Sequence, residues 1–144
     1  MSSVVDAWQA ALAAEHAAVA DYDVAGPHLG QADAASARAD QRAHRTLRDV
    51  TSLALTAAGH SPVPAKPDYP LPFAVTNATT ARRLALSLES ACAAAWRYLI
   101  AVAGAADRTV RSDAQAALTA SAVRALHWRR LVDPAKPTVP FPGI

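Results

Sequence analysis

Arg38-Ala39-Asp40-Gln41-Arg42-Ala43-His44-Arg45 decides how this chain is read. Gln41 and His44 stand three residues apart, so on an α-helix their side chains share one face, a turn apart. They interrupt the series Ala34, Ala37, Gln41, His44, Leu47, Thr51, whose steps of three and four are those of a helix packed into a bundle. The same spacing returns as Arg124-Ala125-Leu126-His127, and two further apolar seams each carry one acid, Glu15 and Glu89. Buried acids and imidazoles are costly unless paired, hydrogen-bonded or bound to metal. Four polar intrusions on four helical seams are therefore expected to face one another.

Composition supports helices throughout. Roughly a quarter of the residues are alanine and aromatics make up only 6%. Alanine has the best helix propensity and loses no side-chain entropy, whereas the strand-favouring residues are sparse. At 144 residues the chain is expected to be one domain with a full core and no need of disulfides. Cys92 is the single cysteine, so no internal disulfide can form.

The net charge of +2 is too small to imply nucleic acid, and the arginine stripe Arg38, Arg42, Arg45, Arg48 is diluted by Asp40 and Asp49. The start, Met-Ser-Ser-Val-Val-Asp, lacks the basic and apolar regions of a signal peptide. The most apolar window, Ala91 to Ala106, contains Arg97 and is short for a membrane span. A cytoplasmic protein without membrane or nucleic-acid partners is expected.

The first helix is expected over about residues 3–25, opened by Ser3 and Asp6 at capping-box spacing and stopped by Gly26-Pro27. Its seam reads Val5, Trp8, Leu12, Glu15, Val19, Tyr22. The second helix spans about 30–58, with Gly59 as its cap. Five prolines between residues 61 and 75 exclude helix and favour an extended path of ~3.1 Å per residue. That reach, about 45 Å, matches a second helix about 40 Å long at ~1.5 Å per residue. The third helix can therefore start at the same end as the second and run parallel to it. It spans about 77–103 with the seam Leu86, Glu89, Ala93, Trp96, Ile100, Ala103. The fourth spans about 107–132 with the seam Val110, Asp113, Ala117, Ala120, Arg124, His127, Leu131. Residues 134–144 hold four prolines and form an extended tail, draped over the bundle or disordered.

Counting ~1.5 Å per residue from each turn puts Glu15 level with Gln41 and His44, and Glu89 level with Arg124, to within about one helical turn. Glu15, His44 and Glu89 are expected to meet there, with Gln41, Arg124 and Tyr22 completing the layer. Tyr22 reads first as a core aromatic whose hydroxyl needs a partner. Asp40 reads first as a surface residue and second as an acceptor for an imidazole. Trp8 and Trp96 read as core anchors, Cys92 as a small buried residue, and His16 and His28 as exposed. No phosphate loop, nucleophile elbow or paired-cysteine zinc motif occurs, so no catalytic residue is assigned.

One Glu on each of two helices and Glu-x-x-His on the other two is the ligand pattern of di-iron carboxylate bundles. In helix order, long crossover and the positions of Glu15, His44, Glu89 and His127, the chain resembles the ferritin-like superfamily. Its length and alanine content look most like an alanine-rich actinobacterial ferritin-like family of unknown function. The resemblance covers Ser3 to Val132 and implies an all-α, ferritin-like four-helix bundle with one long crossover between helices 2 and 3, and Glu15, His44, Glu89 and His127 as its candidate metal-binding residues. Two carboxylate positions of that pattern hold Gln41 and Arg124 instead. A fixed guanidinium where a cation would sit repels metal and can satisfy an acid.

The reading therefore favours a degenerate di-metal site in a non-catalytic protein with no cofactor. It would act through self-association, as a homodimer, or through an unidentified protein partner. Leu53, Leu84, Leu88, Leu118 and Trp128, off the main seams, are the apolar residues expected to support a dimer. The alternative is an iron- or manganese-binding protein or oxidase using the remaining Glu and His ligands.

Overall fold

The computed structural model describes residues 3–144. Ser3 and Asp6 exchange the two hydrogen bonds of a capping box and open α1, Val4–Ala25. A short 3-10 turn, Gly26–His28, with Pro27 in its first turn, ends α1 and leads into α2, Gln31–Ala57. The close of α2 is a Schellman motif: His60 N–H donates to Leu55 O, Gly59 N–H donates to Thr56 O, and Gly59 sits at φ +85°. Asn77 and Thr80 form the capping box of α3, Ala78–Ala103, and Asp107 caps α4, Arg108–Val132. There is no strand among the described residues, and the expected all-α four-helix bundle is what forms.

Side-chain pairings set the directions. Glu15 meets His44 and Val19 meets Gln41, so α1 and α2 are antiparallel; Glu15 meets Trp96 and Tyr22 meets Glu89, so α1 and α3 are antiparallel as well. Asp33 pairs with Arg82 at 2.7 Å and His44 with Glu89, which makes α2 and α3 parallel. Parallel neighbours require the long crossover, and residues 58–77 supply it without helix. The crossover runs along α1. The Gln9 amide donates to Ser61 O and accepts from Val63 N–H, while the His16 ring donates through Nε2 to Val63 O. At the far end Phe73 and Val75 pack on Ala25, Ala81 and Leu84. His16 is thus partly buried under the crossover, contrary to the expectation that it is exposed, whereas His28 is exposed.

Helix α3 is central, packing on both α1 and α4, and it buries two adjacent stripes that include Leu84, Leu88, Cys92, Ala93, Trp96 and Leu99. It is long and apolar enough to span a bilayer by composition alone, yet much of that apolarity is taken up by this double contact. Helix α2 packs chiefly on α1 and reaches α3 and α4 through long side chains.

The seams of α1, α2 and α3 lie largely where the sequence puts them, and that of α4 does not. Its buried residues are Val110, Ala114, Ala117, Ser121, Ala125 and Trp128, so only Val110 and Ala117 of the expected seam are buried and the rest of the inward face lies one position further on. Asp113 and His127 face solvent in consequence. Trp128, Leu84 and Leu88, expected on the exterior, belong to the core, and of that expected dimer patch only Leu53 is fully exposed, at 71%. Val50 on α2 is likewise exposed.

Candidate functional site

Glu15, His44 and Glu89 are all 0% exposed at mid-bundle, one each from α1, α2 and α3. Each sits on the stripe that its helix turns inward, so the local α-helical phase of the three sequences brings them to one point. His44 Nδ1 lies 2.6 Å from Glu15 Oε2 and Nε2 lies 3.0 Å from Glu89 Oε1. Carboxylate oxygens accept, so both ring nitrogens carry protons and the ring is an imidazolium held between two acids. Burial by itself would lower the pKa of His44; the hydrogen bonds and charges of Glu15 and Glu89 overcome it and raise the pKa to about 9.

The remaining lone pairs are filled by other N–H and O–H groups. Trp96 Nε1 donates to Glu15 Oε1 at 2.7 Å. Arg124 Nε donates to both oxygens of Glu89, at 3.0 and 3.1 Å, and its Nη2 donates to the buried Ser121 hydroxyl. Tyr22 gives its one hydroxyl proton to Glu89 Oε1 at 2.7 Å, and Asp40 Oδ2 lies 3.2 Å from the same oxygen. Trp128 Nε1 lies 3.0 Å from both Tyr22 Oη and Asp40 Oδ2. Burial first, then the charges of Glu89 and Asp40, push the Tyr22 phenol far up, so it stays protonated. Asp40 is also pushed up, by burial and then by Glu89. For Arg124, burial opposes the charge, but Glu89 prevails and holds the guanidinium charged.

Formally, the two acids Glu15 and Glu89 and the two cations His44 and Arg124 sum to zero, while burial pushes the adjoining Asp40 toward its neutral form. Mutual neutralisation with hydrogen bonds to the buried atoms is the condition under which buried ions are tolerated. Among the described residues, the one buried side-chain polar atom without a partner is His16 Nδ1, outside this layer.

Of the four candidate ligands, three converge and His127 does not. Its ring is exposed and stands edge-on to Trp128, centroids 4.9 Å apart. The indole takes the inward position because burying it removes ~150–250 Å² of mostly apolar surface from water, on the order of 4–6 kcal/mol. Tyr22 and Arg124 complete the layer as the sequence suggests. Gln41 is buried but turned toward α1, where its amide donates to Val19 O at 2.8 Å and Asp23 Oδ1 at 2.7 Å.

Four participants carry more than the sequence reading gave them. Asp40 is an acceptor within the network and not a surface residue; its place four residues before His44, on the same face, was the available signal. Trp96 and Trp128 are donors as well as core, as buried indole N–H groups usually are. Ser121 has no signal in the alanine-rich pattern of α4.

A metal does not suit this arrangement. Glu15, His44 and Cys92 offer donor atoms within 4.8 Å of one another. Both His44 nitrogens, however, are engaged by acids, and both Glu15 oxygens by N–H donors. The Cys92 thiol, 3.6 Å from Ala14 O, is pushed well up by burial and then by Glu15 and Glu89, so it resists giving the thiolate a metal requires.

Fold and layer together define a four-helix bundle with one long crossover and a buried polar core. The chain belongs to the family described as Domain of unknown function (DUF4439), whose model matches residues 7–144. Among solved structures it is similar to a conserved hypothetical protein, rv2844, from Mycobacterium tuberculosis. The two are 33% identical with a TM-score of 0.84, over 89% of this chain and 96% of that one. No curated protein matches the chain.

Proposed function

We propose that this is a non-catalytic ferritin-like domain in which an ion-pair network stands where related bundles hold two metal ions, and that it acts through self-association or a protein partner. The observation that carries this reading is the His44 imidazolium clamped between Glu15 and Glu89, with Arg124 on the outer side of Glu89. Two cations already neutralise two acids, which removes the charge that would attract iron or manganese. Helix α2, packed chiefly on α1, leaves Val50 and Leu53 exposed as an apolar pair one turn apart, where a second copy would seat.

Metal content tests the first half. Protein purified without chelator is expected to carry far less than one iron or manganese per chain, and a stoichiometric amount of either overturns the reading. Sedimentation tests the second: a dimer is expected, with Leu53→Glu shifting it to monomer. A wild-type monomer leaves a separate protein partner as the surviving form.

A second reading, a metal-binding protein, rests on the Glu15, His44 and Cys92 cluster. Its sulfur, nitrogen and oxygen donors suit zinc better than manganese. It requires His44 to release an acid and Cys92 to lose its proton. Zinc uptake abolished by Cys92→Ser and by Glu15→Ala would favour it.

A further inference from the structure

The C-terminal segment turns back and lies over the groove between α3 and α4. Gly143 adopts φ +84°, and a Cβ there would stand 2.7 Å from Ala93 O and 3.1 Å from Arg97 Cβ, so the segment rests directly on the backbone of α3. Between this strap and the helices is a chamber of about 550 Å³. Its helical floor includes the small residues Ala93, Ala94, Ala122 and Ala125, and its roof includes Pro137 and Pro142. Small side chains on the helices leave space beneath the strap, and the lining, which is open to solvent on one side, is chiefly apolar.

Interiors close-pack to leave few gaps larger than a water, whereas ligand sites run to ~300–1,000 Å³ with mostly apolar walls and a few placed polar groups. Arg129 is the one charged side chain on the chamber wall. Among the described residues its guanidinium makes no ion pair, unlike Arg45, Arg48, Arg82 and Arg124. The Ser90 hydroxyl is already given to Leu86 O, and the other side-chain polar groups of the wall, the hydroxyls of Thr119 and Thr138, are uncharged, so Arg129 is the side chain that would select a ligand's charge.

We infer that this chamber is a binding site for a small, largely apolar monocarboxylate, with its chain along the alanine floor and its carboxylate on Arg129. The C-terminal segment is the fourth wall of the site. No residue of the core layer lines this chamber, so the inference is independent of it.

The test is calorimetric titration of the full chain with decanoate and with uncharged 1-decanol. Saturable one-to-one binding of decanoate is expected. Arg129→Gln should weaken decanoate about tenfold or more, as expected for loss of a charge-assisted hydrogen bond, and leave 1-decanol unchanged. Ala122→Trp, which fills the chamber, should abolish binding of both. Gly143→Val, which lifts the strap from Ala93, should weaken both while circular dichroism shows the helices retained. No decanoate binding by the wild type overturns the inference. So does equal weakening of both probes by Arg129→Gln, or tighter binding in Gly143→Val, which would make the segment a plug and not a wall. Should Ala122→Trp fail to fold, the other two variants decide the matter.

Discussion

The turn of α2 that carries His44 and the turn of α4 that carries His127 have the same spacing to the polar residue before them, three positions in each case, and opposite fates. His44 is enclosed by two acids; His127 is in solvent. On α2 the inward face has no bulky competitor, only Ala37, Gln41, Thr51 and Leu55 around His44. On α4 the residue after His127 is Trp128, and the larger apolar area wins the inward position. Identical spacing thus places a side chain on a face only after the helix has been rotated, and the rotation is settled by its largest residue.

The sharpest way to break this comparison is substitution of the two histidines. His44→Ala leaves Glu15 and Glu89 buried without their shared cation and is expected to cost about 3–5 kcal/mol in urea unfolding. A cost comparable to that of His127→Ala would erase the distinction between the two turns.

Next comes pH. His44 titrates near 6.5 in an unfolded chain and at about 9 here, so the folded state holds its proton more tightly. Its stabilisation is fully present below about pH 6.5 and is lost as pH rises through 9, to a total of about 3 kcal/mol. Unfolding free energies measured from pH 6 to 10 should fall accordingly, and His44→Gln should remove that part of the slope. A slope unchanged in His44→Gln would place the proton elsewhere.

Arg124→Met deprives Glu89 of its second cation while keeping an unbranched stem. Because Arg124 retains some exposure, a cost of about 2–3 kcal/mol is expected, seen as a lower urea midpoint. Trp128→Phe keeps an aromatic ring inward but removes the N–H shared by Tyr22 and Asp40, for about 1–2 kcal/mol. His127→Ala closes the series at within about 0.5 kcal/mol, the usual range for an exposed position. A larger loss there would mean that its contact with Trp128 stabilises the fold.

Much of the architecture is legible because its signals are chemical and local. Ser3, Asn77 and Asp107 can cap only where they stand, and Gly59 supplies the positive φ that ends α2. The prolines of residues 61–75 forbid helix over a length that spans the bundle, which allows α2 and α3 to run parallel. Within the core layer, Glu15, His44, Glu89, Arg124 and Tyr22 are legible as polar interruptions of apolar seams. Gln41 is legible as buried but not as to its partner, since one turn of displacement along α2 is enough to hand its amide to Val19 and Asp23.

The fourth helix is where legibility fails. Ala114, Ala116, Ala117, Ala120, Ala122 and Ala125 lie on all its faces, so apolar periodicity hardly distinguishes one rotation from the next. The exterior suffers from the same ambiguity. Leu84 and Leu88 look peripheral beside a single seam on α3, yet a helix flanked by two neighbours buries two seams.

By itself the sequence determined that there are four helices, where most of them begin and end, that the second connection traverses the bundle, and that acids and an imidazole lie inside. Those follow from backbone chemistry and from the cost of leaving charge unpaired, both readable residue by residue. The tertiary structure alone decided which way α4 turns, that His44 bridges Glu15 and Glu89, and that the last residues roof a chamber. These depend on competition for shared space between side chains far apart in the chain, a competition that spacing along one helix does not record.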